Sequence, residues 1–236
     1  MSAAGILPLI AAALLMQIFS DLLRKQLAQV LGVKGYVYLT APGVMIHELS
    51  HAAFCIIFRH QIVEMKLFDP QADGTLGYVN HAYNKHNIYH RIGNFFIGTG
   101  PIWGGCLVLM VISRMLLPDC MRGGDSFAEY CQAFIAGALT PDFWMRWQSW
   151  LWIYLTLTIA SHITLSLPDL QGAADGLIVI IAAVILGNIL LGWSGNWAEF
   201  IWQYEFALLS ELSIALIGTF LTGIFMITIL RCIGKR

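Results

Sequence analysis

The stretch Thr40-Ala41-Pro42-Gly43-Val44-Met45-Ile46-His47-Glu48-Leu49-Ser50-His51-Ala52-Ala53-Phe54-Cys55-Ile56-Ile57-Phe58 places two histidines and a glutamate in a mostly apolar run. Thr40 stands at a cap position and Pro42 suits a first helical turn, so the stretch reads as one helix from about 41 to about 58. On a helix, residues four apart share a face. His47 and His51 can therefore offer two imidazole nitrogens to one metal ion, and Glu48 between them can act as a general base. At 1.5 Å per residue, His47 lies roughly 7 Å from the helix start.

Working outward, the whole chain is unusually apolar. It has 236 residues, of which 58% are hydrophobic and 11% charged, against about 25% charged in an ordinary soluble domain. Hydrophobic stretches of roughly spanning length fall at about 4–23, 38–58, 92–117, 149–167, 176–194 and 207–230. The expectation is an all-α polytopic membrane protein. It has about six hydrophobic helices in a single domain over 1–236, with polar connections at about 59–91 and 118–148. The corresponding location is a multi-pass integral protein of a prokaryotic cell membrane, with the lipid bilayer and membrane proteins as partners. Buried charge is costly in such a helix, which makes His47, Glu48 and His51 functional by default. Ala3 to Leu23 has no basic residue before it, so it reads as a retained segment and not as a cleaved leader. The basic residues Arg24, Lys25 and Lys34 and the basic tail Arg231 to Arg236 ask for the same side of a membrane, which six full spans do not allow.

Other features narrow the function. A net charge of −1 gives no global attraction to nucleic acid. Five cysteines without metal-type spacing read as reduced packing residues; Cys55, four residues after His51, belongs with them. Ile62 to Phe68 alternates apolar and polar residues, Asp73-Gly74 follows, then Thr75 to Val79, which reads as a small β-hairpin at the membrane interface. An edge of that hairpin can hold an extended peptide by strand addition. Phe143 to Trp147 and Trp197 to Trp202 read as interfacial segments. His60, His81, His86 and His90 read as solvated or interfacial.

A catalytic zinc takes three protein ligands and leaves a fourth position open. The third ligand has two candidates in Ser166-Leu167-Pro168-Asp169-Leu170-Gln171-Gly172-Ala173-Ala174-Asp175-Gly176. Asp169 and Asp175 are about 240° apart around a helix, so one helix does not aim both at one metal. Ser166 and Asp169 also fit a capping box, which would occupy Asp169 at a helix start. His162, Asn94 and Pro101 are candidate cavity-lining residues. Pro101 also frees a backbone carbonyl, which can receive a substrate strand. Gly98, Gly100, Gly104 and Gly105 allow close helix packing.

His47-Glu48-Leu49-Ser50-His51 in an apolar helix, with a distant Asp entering a later one, resembles the site-2 protease-like family of intramembrane zinc metalloproteases. The resemblance implies Zn²⁺ on His47, His51 and a later Asp, with Glu48 as catalytic base. It implies hydrolysis of peptide bonds in membrane or membrane-proximal protein substrates. The family's Asn, prolines and Leu-Asp-Gly around the third ligand are reduced here to Pro168 and Ala174-Asp175-Gly176. Literal Asp-Gly matching selects Asp175; position at the helix entrance selects Asp169. A second membrane family with HExxH uses a downstream ExxxD. Glu199, Glu205 and Glu211 are followed at that spacing by Gln203, Leu209 and Ala215. The competing class is a non-catalytic membrane subunit or scaffold that keeps a metal-binding fold.

Overall fold

The computed structural model describes residues 3–121 and 127–191. Within them the chain forms helix α1 (Ala3–Leu39), α2 (Ala41–Ile57), strands β1 (Gln61–Lys66) and β2 (Tyr78–Ala82), then α3 (Ile88–Gly98), α4 (Gly100–Leu116), α5 (Phe127–Ala138), α6 (Pro141–Met145), α7 (Trp147–Ala160) and α8 (Leu167–Leu191). A short 3₁₀ turn, Asp119–Met121, follows α4. The mainly helical reading with one small sheet holds. The reading as six membrane-spanning helices does not.

Among the described residues no single helix is long and apolar enough to cross a membrane. The expected fold class and the multi-pass membrane location are corrected accordingly. Hydropathy windows run straight through helix breaks, whereas a span needs about 20 residues in one helix. Segment 38–58 contains a 17-residue helix, and segment 149–167 contains helix only as far as Ala160. Segment 92–117 is two helices bent by 57° across Thr99; as a pair they satisfy length and composition. Segment 207–230, the Trp197 to Trp202 segment and the basic tail lie outside the described residues. So do Glu199, Glu205 and Glu211.

Helix α1 is interrupted at Gly32, whose φ of 72° is left-handed and open to glycine. The main apolar core joins Leu23, Leu27 and Tyr36 of α1 to Leu117, Met121, Phe143, Trp152, Ile153 and Leu157. Phe143, expected in an interfacial segment, is a buried member of that core. A second cluster of Leu109, Ile159 and Ile163 sits between α4 and the end of α7. Helix α2 packs between α4 and α7, and α3 lies along α8.

The hairpin is real but differently bounded from the sequence reading. β1 and β2 pair antiparallel from Gln61↔Ala82 to Lys66↔Tyr78, with a bulge between Ile62 and Glu64. The connection between them is a long loop, closed by Asp69 N–H to Leu76 O at 2.7 Å and Gln71 N–H to Thr75 O at 2.8 Å. Asp73-Gly74 turns within that loop, Gly74 taking φ 94°, so the strands are not joined by a two-residue turn.

Candidate metal centre

Helix α2 starts where Ala41-Pro42 predicts, although Thr40 does not cap it in the usual way. The Thr40 hydroxyl donates to Tyr36 O at 3.0 Å. It also lies 2.9 Å from Nε2 of His162. Because its own proton is committed to Tyr36, Thr40 accepts from His162, which makes Nε2 the protonated nitrogen of that ring.

Two elements bring the candidate ligands together. His47 and His51 project from one face of α2, and Asp169 enters from the first turn of α8. Their ligand atoms lie within 4.8 Å of one another and can hold a metal ion. Nε2 of His47 and Nε2 of His51 are 3.1 Å apart. Asp169 Oδ1 is 3.3 Å from His51 Nε2, and Asp169 Oδ2 is 3.9 Å from His47 Nε2. Ligands about 2.0–2.1 Å from a tetrahedral ion stand about 3.3–3.4 Å from one another, close to the 3.1 Å and 3.3 Å separations here and shorter than the 3.9 Å one.

The two rings are oriented from behind. His47 Nδ1 is 2.7 Å from the backbone oxygen of His162. His51 Nδ1 is 2.7 Å from the backbone oxygen of Ile97. A carbonyl only accepts, so each Nδ1 carries its proton and each Nε2 keeps a lone pair facing Asp169. Two such lone pairs and a carboxylate converging on one point can hold a cation there. In the metal-free protein, burial first and neighbouring His51 second bring His47 down to about 4.

Asp169 answers both readings made of it. Its Oδ2 accepts from the Ser166 amide at 2.8 Å and the Ser166 hydroxyl at 2.6 Å. Its own amide lies 3.3 Å from Ser166 Oγ. The capping box therefore exists and holds the carboxylate with Oδ1 toward His51. Capping and ligation are not alternatives here, because a carboxylate has two oxygens with about four acceptor positions. Close helix approach brings Asp169 this near. A Cβ on Gly98 would meet the Asp169 backbone oxygen at 2.4 Å.

Asp175 lies elsewhere. It accepts from Arg91 at 2.9 Å and from Asn94 Nδ2 at 3.2 Å, an arrangement that ties α8 to α3 and holds its carboxyl below the usual range. Asn94 thus serves this ion pair. His162 presents its backbone oxygen to His47, while its ring faces Thr40 and Tyr36 (3.4 Å to the Tyr36 hydroxyl). Pro101 is fully buried at the α3–α4 break.

Glu48 is buried, with 7% exposure. Burial, then the negative charge of Asp169, raises its carboxyl to about 7. A Cβ on Gly77 would meet Glu48 Cγ at 2.9 Å, so the chain entering β2 lies against this side chain. Cys55 is buried and burial raises its thiol to about 12, which suits packing and not ligation.

Sequence reasoning missed the backbone oxygens of Ile97 and His162, because main-chain acceptors carry no residue-type signal. It also misjudged His60. That ring is buried, with its Nδ1 3.0 Å from His81 Nδ1 and its Nε2 2.9 Å from His90 O, at the base of the hairpin. Comparison with known proteins returns no match to a family model, a curated protein or a solved structure.

Proposed function

We propose that this chain is a zinc metallopeptidase of the HExxH type, with His47, His51 and Asp169 as zinc ligands and Glu48 as general base. Its chemistry resembles that of the site-2 protease-like family in ligand types and in the position of the base. The observation that carries this reading is the convergence of both His Nε2 atoms and Asp169 beside a buried Glu48 on the same helix. Two imidazoles and one carboxylate suit zinc. Three protein ligands with a base beside them make a hydrolytic site, whereas structural zinc sites take four protein ligands and need no base.

A zinc ion held there would supply Lewis acidity, lowering the pKa of a water and polarising a carbonyl. The residues of the chain do the rest. Glu48 accepts a proton from the attacking water and returns it to the leaving amine. The carbonyls of His162 and Ile97 keep the two imidazoles in the ligating tautomer. The Ser166 cap keeps Asp169 from rotating away. Peptide bonds within a helix are shielded by their own hydrogen bonds, so the substrate is an extended peptide. The chain entering β2 lies against Glu48, which supports strand addition at the β1–β2 edge as the way an extended peptide is held.

The test is metal analysis of purified protein together with cleavage of a panel of fluorogenic extended peptides by wild type and Glu48→Gln. The reading expects about one zinc per chain in both proteins, and cleavage by wild type alone. Equal cleavage by both refutes the base. Wild type without zinc refutes the centre. Zinc in both proteins with cleavage by neither returns the non-catalytic scaffold.

A further inference from the structure

Thr40 stands where a helix cap belongs, yet its hydroxyl does not cap α2. A cap hydroxyl accepts from the N–H of the second or third helical residue. Here the second is Pro42, which has no N–H, and Gly43 N–H bonds the Thr40 carbonyl at 2.9 Å. The hydroxyl is therefore available elsewhere. Thr40 is 1% exposed, and a buried hydroxyl without partners is costly. It donates back to Tyr36 O, four residues earlier, at 3.0 Å. It accepts from His162 Nε2–H at 2.9 Å.

His162 thus meets α2 twice. Its ring reaches Thr40 at the helix start, and its carbonyl oxygen lies 2.7 Å from Nδ1 of His47. Seven residues return a helix to within about 20° of the same face, so Thr40 and His47 lie on one stripe. Gly43 lies between them on that stripe. The end of α7 passes so close that a Cβ on Gly43 would meet Thr158 O at 2.0 Å and His162 Cδ2 at 2.9 Å. Tyr36 stacks on the far ring, with centroids 6.0 Å apart. We propose that Thr40 and the His162 side chain are positioning residues for the metal ligand His47. His162 follows the last residues of α7, and carbonyls at a helix end have no partner within the helix. The Thr40 hydroxyl holds the imidazole of His162, which fixes how that residue is turned. Its carbonyl then faces His47 Nδ1–H and keeps His47 Nε2 toward His51 and Asp169. The residues that receive His162 are Thr40, Gly43 and His47, and the residue they receive is 115 positions after His47. This inference rests on the metal-centre reading and adds to it how His47 is aimed.

The experiment separates the hydroxyl from the shape of the residue. Thr40→Val removes the hydroxyl and keeps the branched side chain, whereas Thr40→Ser keeps the hydroxyl. His162→Phe keeps a planar ring without its nitrogens. Competitive Co²⁺ titration reports affinity, and ¹⁵N NMR of the histidine rings in the metal-free proteins reports the tautomer of His47. The expected result is a Co²⁺ affinity about 10–100-fold lower in Thr40→Val, with Thr40→Ser within about threefold of wild type. The Nδ1-protonated tautomer of His47 should dominate in wild type and Thr40→Ser, and fall in Thr40→Val. His162→Phe should match Thr40→Val, and combining the two should add no further loss, because both break one bond. If Thr40→Val does not fold, His162→Phe decides by the same two readings. Unchanged affinity and tautomer in Thr40→Val overturn the proposal, even where urea stability falls, because Thr40 then serves the fold alone. Additive losses in the double variant also overturn it, because Thr40 then does not act through His162. A wild type that binds no Co²⁺ yet shows this tautomer pattern overturns the metal reading and upholds the link from Thr40 to His47.

Discussion

Gly43→Ala should damage both the fold and the metal centre, through one contact. A Cβ at Gly43 would stand 2.0 Å from Thr158 O and 2.5 Å from Thr158 C, with His162 Cδ2 at 2.9 Å. The first two obstacles are backbone, so no rotamer change removes them. Relief to 3.0 Å requires α2 and α7 to separate by about 1 Å at this point. His47 is one turn further along the same face, and its Nδ1 lies 2.7 Å from His162 O. The same separation stretches that hydrogen bond to about 3.7 Å, beyond a useful length. Overpacking costs about 1–3 kcal/mol and the lost buried hydrogen bond about 1 kcal/mol, so the variant should be about 2–4 kcal/mol less stable. Loss of the partner that orients a ligating histidine lowers metal affinity by about 10–100-fold. Urea denaturation of the metal-free protein reads the first effect, and competitive Co²⁺ titration reads the second. Wild-type stability together with wild-type affinity would refute the reasoning. Loss of stability with intact affinity would refute the link between the α2–α7 contact and His47.

Other expectations follow from neighbouring contacts. A methyl group added at Gly172 would meet nothing within 4 Å, so Gly172→Ala should stabilise α8 by up to about 1 kcal/mol in the same urea titration. Asp169→Asn should lose more metal affinity than the about 10–100-fold typical of an outer partner. Asp175→Asn should retain the metal and cost less than about 1 kcal/mol, because its ion pair with Arg91 is partly exposed; the opposite ranking in metal analysis would return Asp175 as the ligand. Burial first and His60 second bring His81 down to about 4 from an ordinary 6.5. The unfolded chain therefore binds a proton that the folded chain refuses. His81 by itself should contribute a loss of stability as pH drops from about 6.5 toward about 4, of less than about 1.4 kcal/mol per pH unit. His81→Gln should flatten that slope in urea midpoints measured across pH, and an unchanged slope would contradict the assignment.

Local signals were read correctly where one short stretch contains the whole cause. The start of α2 follows from Ala41-Pro42, and its shared His47–His51 face follows from a spacing of four residues. The Ser166–Asp169 cap is legible for the same reason, since both partners sit in one turn. For segments 92–117 and 149–167 the spanning reading failed because hydropathy adds up side chains and is blind to where a helix stops. Thr99-Gly100-Pro101 and Ser161-His162 end helices inside stretches that are apolar throughout. His60 was misjudged because its partners, His81 and His90, are far away in sequence and meet it only when the hairpin closes.

The sequence by itself determined the candidate donors and the candidate base: two imidazoles one turn apart, a carboxylate between them, and two aspartates available for a third ligand. Covalent spacing and helical periodicity suffice for that. Tertiary structure decided which aspartate arrives, because only helix packing through Gly98 brings Asp169 to within 3.3 Å of His51 and leaves Asp175 with Arg91. It also decided which lone pairs face inward, because the oxygens of Ile97 and His162 are backbone atoms. A backbone atom is the same in every residue type, so its role is set by where the chain carries it.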